Sequence, residues 1–157
     1  MTKYRTSVRL DKDPSEDIDF ASVPFPKPHP MMKWSLYVER LQEPMNLMDW
    51  RVEILDDPCE DDSYATVNCI YGQKKAELKL CEGFNDLSRD EQRSTFVHEL
   101  THCHLWVIQE MGEEDLAQFL SSGEKEMYSR SFRRAIEYAV DSLANAIAPH
   151  LPLPSDE

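Results

Sequence analysis

Residues 88–112 constrain the fold most, because they read as one long helix with apolar groups on two nearly opposite faces. Ser88 and Glu91 have the spacing of a capping box, in which the serine caps the third helical amide and the glutamate returns to the serine's own amide. That places the start near Arg89. Helical periodicity then continues to about Met111, and Gly112 is a suitable stop. Phe96, Leu100, Cys103, Val107 and Met111 form a continuous apolar stripe one to two turns apart, while Leu105 and Trp106 lie on or near the other side. A helix of this kind has to be covered on both sides.

The flanking segments supply candidates for those covers. Met31 to Leu41 places Trp34, Tyr37, Val38 and Leu41 at helical spacing, with Pro44 marking an end. Trp50 to Ile54 alternates as a half-buried strand does. Ala65 to Tyr71 is rich in β-formers, Gly72-Gln73-Lys74 looks like a turn, and Ala76 to Leu80 alternates again, so 65–81 reads as a hairpin. A short helix is expected around Glu114 to Leu120 and a long one from about Glu124 to Ala148. Strands segregated from helices indicate an α+β domain. Residues 1–30 read as a proline-rich N-terminal tail (Val23-Pro-Phe-Pro-Lys-Pro-His-Pro30), 31–148 as the folded domain and 149–157 as a C-terminal tail. The N-terminal tail is either an extended arm or a docking peptide for a polyproline-binding partner.

Composition excludes several function classes. A formal net charge of -13 on 157 residues repels phosphate backbones, so nucleic acid is not an expected partner, whereas cations are attracted. The absence of any long apolar run argues against a membrane span, and the N-terminus has no signal-peptide core. The four cysteines, Cys59, Cys69, Cys81 and Cys103, contain no CxxC pair and are read as reduced thiols of a cytoplasmic protein. A Cys59–Cys69 disulfide is the alternative.

Within the long helix, His98-Glu99-Leu100-Thr101-His102 matches the HExxH zinc signature. Positions four apart share a helix face, so both imidazoles can reach one ion. Glu99 follows His98 by about 100° of rotation, which keeps it beside the ion and not bound to it. From there it can take a proton from a water that the metal has acidified, acting as the catalytic base. The competing reading is two surface histidines beside an acid.

Zinc of this type needs a third protein ligand and one open position. A third histidine in the compact HExxHxxGxxH arrangement is missing, since Leu105 and Ile108 occupy the key places. The last helix offers Glu137 and Asp141, again four apart, at the edge of an apolar face made by Phe132, Ile136, Val140 and Leu143. A carboxylate beside a core face is costly unless paired or metal-bound, so Glu137 is the expected third ligand. Asp141, one turn on, can accept a hydrogen bond from the outer nitrogen of a ligating histidine. The rival fate for Glu137 is an ion pair with Arg130, Arg133 or Arg134 on its own helix.

With His98-Glu-Leu-Thr-His102 followed by Glu137-x-x-x-Asp141, the chain resembles the gluzincin zinc peptidases, most of all the minimal metallopeptidase-like proteins that phages and bacteria encode. The resemblance implies a zincin-like domain whose three-stranded sheet packs on the active-site helix. It also implies an edge strand, Ala76 to Leu80, that holds an extended peptide substrate, and a host-cell cytoplasmic location if phage-encoded. The implied activity is zinc-dependent endopeptidase cleavage of a protein or peptide. An oxyanion-stabilising Tyr or His is also implied, with Tyr128, Tyr138 and His104 as candidates. DNA-repair proteases share HExxH but use a third histidine and basic surfaces, which this chain lacks. Two other readings are a catalytically inactive protein whose zinc holds helices together for protein–protein interaction, and an acidic nucleic-acid mimic with incidental histidines.

Overall fold

The computed structural model describes residues 30–59, 63–70 and 72–155. The proline-rich tail assigned to 1–30 lies outside these residues, apart from Pro30. Among the described residues there are three α-helices and three strands: α1 (Pro30–Gln42), β1 (Arg51–Leu55), β2 (Ala65–Cys69), β3 (Lys75–Leu80), α2 (Arg89–Glu110) and α3 (Ser122–Ile147). The fold is a mixed α+β arrangement with a three-stranded mixed sheet in the order β1-β3-β2. β1 runs parallel to β3, and β2 is antiparallel to it with Val67 opposite Leu78.

The β2–β3 hairpin matches the expectation, and its turn uses Gly72 at a φ of 67°, where a side chain would be strained. The position of β3 does not. Ala76 to Leu80 is expected at the edge, but among the described residues β3 is the central strand and β2 is an edge. Alternation alone cannot tell these apart: Ala76 and Leu78 are fully buried, while Lys75 on the opposite face pairs with Glu53 and Glu77 at 3.0 Å each. Strand order is decided by where β1 returns, and no local pattern encodes that.

Helix α2 packs on the buried sheet face. Both capping boxes form, Ser88 with Glu91 and Ser121 with Glu124, setting the starts of α2 and α3. The core joins Trp34, Tyr37, Val38 and Leu41 of α1 to Ala76, Leu78, Phe84, Phe96, Val97 and Leu100. Phe96 is central to it, with ring centroids 5.5, 5.3 and 5.2 Å from Trp34, Tyr37 and Phe84. The expected apolar stripe is buried only in its first half. Phe96, Leu100 and Cys103 are covered, whereas Val107 and Met111 are 49% and 52% exposed. The reason is length: a 22-residue helix spans about 33 Å, and strands this short reach only about 20 Å.

Gly112 does not stop the helix. The backbone widens into a π-helical turn over Met111–Leu116 and continues into a 3-10 turn over Ala117–Phe119, in place of the separate short helix expected there. Gly112 is required for a different reason, since a Cβ there would collide with the ring of Phe132 on α3. The residues after α3 lie against the domain. The Tyr37 hydroxyl donates to the Pro152 carbonyl at 2.7 Å, and the Arg93 and Arg89 guanidiniums donate to the Leu151 and Pro154 carbonyls.

The cysteine expectation is also corrected. Cys59 and Cys81 form a disulfide, and Cys69 and Cys103 are free. The hairpin explains the partner choice. Cys81 lies beside the start of β2, where its amide bonds the Tyr64 carbonyl, while Cys69 is carried to the far end of the strand. The fully reduced state behind the cytoplasmic expectation is therefore not the one observed. Among the described residues, no helix is long and apolar enough to cross a membrane.

Phe96→Ala removes the ring on which three aromatic contacts converge. It should cost about 3–5 kcal/mol in urea-unfolding experiments. A loss under about 1 kcal/mol would mean that this cluster does not anchor the fold.

Candidate metal centre

Helix α2 carries His98, Glu99 and His102, and its capped start and buried face fix how they are presented. Phe96, Val97, Leu100 and Thr101 face the interior, and Thr101 donates to the Val97 carbonyl at 2.6 Å. His98 and His102 therefore turn toward the side where α3 crosses, with ring centroids 5.3 Å apart.

Helix α3 buries Ile136, Val140 and Ala144. Glu137 and Asp141 each follow one of these positions, so they project at the rim of the α2–α3 contact. Leu143, placed on the same apolar face by sequence, is 43% exposed. The Glu137 carboxylate lies between the two imidazoles, with Oε2 3.6 Å from His98 Nε2 and Oε1 3.8 Å from His102 Nε2. One ligand atom from each of the three residues falls within 4.8 Å of the others. Ligand atoms around a tetrahedral zinc ion, each about 2.0–2.1 Å from it, stand about 3.3 Å apart, so this donor set needs only a small contraction to enclose one cation.

Asp141 Oδ1 lies 3.0 Å from His98 Nδ1, where it can accept that nitrogen's proton. The contact leaves Nε2 as the free lone pair facing Glu137. Two of the three rival arginines on α3 pair elsewhere: Arg130 reaches Glu126 at 3.1 Å and Arg133 reaches Glu113 at 3.2 Å. Burial holds the His102 imidazole below its ordinary pKa, partly opposed by Glu137. The Glu99 side chain is nearly buried and borders the cavities on both sides of the histidines.

The larger cavity, about 500 Å³, runs between β2 and the second half of α2. A smaller one of about 360 Å³ continues past His98 toward the start of α2, lined by Tyr64, Ser94, Thr95 and Asn145. Sequence reasoning missed Asn68, Trp106, Gln109, Glu110 and Glu113 as lining residues. A signal existed for three of them. Trp106, Gln109 and Glu113 follow His102 by one, two and three helical turns, and the Gln109 side chain hydrogen-bonds His102. None of the three oxyanion candidates lines either cavity: His104 is exposed, Tyr138 is 69% exposed and Tyr128 stacks on Phe132.

Below the histidines, the Cys69 thiol contacts Cys103 with 3.9 Å between sulfurs. That contact lowers the pKa of Cys69, and with burial it raises that of Cys103.

No family model matches the chain, and no curated protein or solved structure does either.

In the metal-free protein, a His102 pKa depressed by burial has a defined sign. The unfolded chain takes up the proton first as pH falls, so the stabilisation is complete above about pH 6.5 and declines below it. Urea midpoints of wild type should drop more steeply between about pH 7 and pH 5 than those of His102→Asn. Equal slopes would show that His102 is not held neutral by the fold.

Proposed function

We propose that this chain is a zinc-dependent endopeptidase of the zincin type, holding its ion through His98, His102 and Glu137 and using Glu99 as proton carrier. The observation that carries the reading is the approach of the Glu137 carboxylate to both Nε2 atoms, 3.6 and 3.8 Å away, on a helix far from α2 in sequence. Two imidazoles and one carboxylate are a zinc donor set that leaves one coordination position open. When bound, zinc supplies a Lewis acid that acidifies water and polarises a carbonyl.

The chain's own residues carry the remaining work. Asp141 accepts from His98 Nδ1 and so fixes the tautomer that presents Nε2. Glu99 takes a proton from the attacking water on its carboxylate and delivers it to the departing amine nitrogen. Being nearly buried, its carboxylate has little water to compete for that proton. The outer edge of β2, which borders the larger cavity, offers main-chain groups to an extended substrate. That role passes from β3, which is paired on both sides.

A second reading has its own support. Tyr128, Tyr138 and His104 all stand outside the cleft, which favours a protein whose zinc joins α2 to α3 without turnover. Under that reading chelation lowers the melting temperature and no peptide is cut.

Elemental analysis of purified wild type should find about one zinc per chain, falling toward zero in His98→Ala and Glu137→Ala. Zinc retained by Glu137→Ala would remove Glu137 from the ligand set. Glu99→Gln should keep the zinc yet lower cleavage of an unstructured protein substrate by about 100-fold or more. Wild-type protein that holds zinc and cuts nothing would leave the second reading standing.

A further inference from the structure

The cleft differs at its two ends. β2 and α2 run side by side in the same sense: Ser63, Tyr64 and Ala65 share the smaller cavity with Ser94 and Thr95, and Gly72, just past β2, donates its amide to Glu110 at 3.0 Å. The His98–His102–Glu137 cluster lies between. On the Ser94 side the walls are hydroxyls, the Asn145 amide and Asp141. On the other side they are Trp106, Gln109, Glu110 and Glu113, and among the described residues neither cavity is lined by a lysine or an arginine. Arg133 pairs with Glu113, but its side chain is 66% exposed and does not line the cavity.

We propose that this groove selects an extended peptide with an arginine or lysine side chain lying toward the Trp106–Glu113 end, paired by its main chain to the edge of β2. The inference rests on the endopeptidase reading for the central cluster and adds the substrate class. Three independent features point to the same occupant. The sheet edge asks for an extended backbone, because its amides and carbonyls repeat at strand spacing. The indole of Trp106, held edge-to-face by Trp50 at 5.6 Å, offers a surface on which a guanidinium or the stem of a lysine can lie. Glu110 and Glu113 supply carboxylates at that end; with one zinc ion offsetting Glu99 and Glu137 and Arg133 paired with Glu113, the Glu110 charge remains unbalanced. A chain of net charge -13 strengthens that field over the whole molecule. An acidic side chain at the same place would meet like charge in a partly enclosed cavity, so the groove discriminates by repulsion as well as by attraction.

The test uses the full chain, zinc-loaded and carrying Glu99→Gln so that peptide is not consumed. The probes are blocked, fluorescently tagged extended peptides with a single arginine moved along the sequence, and the same peptides with neutral citrulline in its place. At low ionic strength, one register of the arginine peptide should bind about tenfold or more tighter than its citrulline twin. The advantage should vanish when Glu110→Gln and Glu113→Gln are added. Glutamine keeps the acceptor that the Gly72 amide uses, and Glu110→Gln alone should show a partial loss if the double variant is unstable. Equal affinities at every register overturn the inference, as does no binding of either peptide at millimolar concentration. Wild type assayed on the same peptides separates this from the parent reading: cutting without any arginine preference sinks only the selectivity, whereas arginine-dependent binding without cutting sinks only the endopeptidase.

Discussion

The structure depends on one helix being buried around most of its circumference. Between Phe96 and Cys103, α2 buries Phe96, Val97, Glu99, Leu100, Thr101 and Cys103, so neighbours must surround it. The sheet and α1 cover one side and α3 the other. Two histidines on such a helix cannot be placed in open solvent. They occupy the seam where α3 crosses, and His102 is left with 11% of its side chain exposed. Buried polar groups there must find partners or bind something, since an unpaired polar group in a low-dielectric seam costs about 1–3 kcal/mol. Thr101 finds its own helix, and the imidazoles face the carboxylates of α3.

That seam also explains why the carboxylates are more exposed than the imidazoles. Glu137 and Asp141 stand at the rim of α3, 47% and 59% exposed, and reach inward to less exposed nitrogens. An arrangement with buried carboxylates and exposed imidazoles would carry a larger desolvation penalty. Gly112 contributes from a distance. By admitting the Phe132 ring against the π turn, it lets the first half of α3 approach the end of α2.

The corrected expectations share a cause. β3 is central and not an edge because strand order depends on where β1 lands. Cys59 pairs with Cys81 because hairpin register, invisible in residue spacing, carries Cys69 to the opposite end of β2. Val107 and Met111 are exposed because the sheet is shorter than the helix it supports. In each case the local pattern leaves the neighbour unspecified.

What the sequence by itself determined is local: the capped start of α2, the two imidazoles one turn apart with Glu99 between them, the β2–β3 turn at Gly72, and the spacing of Glu137 and Asp141 on α3. These follow from helical and strand periods, which are properties of a few consecutive residues. Tertiary structure alone decided that Glu137 meets the imidazoles and not an arginine of its own helix, which strand borders the cleft, and that Trp106, Glu110 and Glu113 form one of its ends. Those facts are distances between residues far apart in the chain, set by how α2, α3 and the sheet pack, and a one-dimensional pattern carries no measure of them.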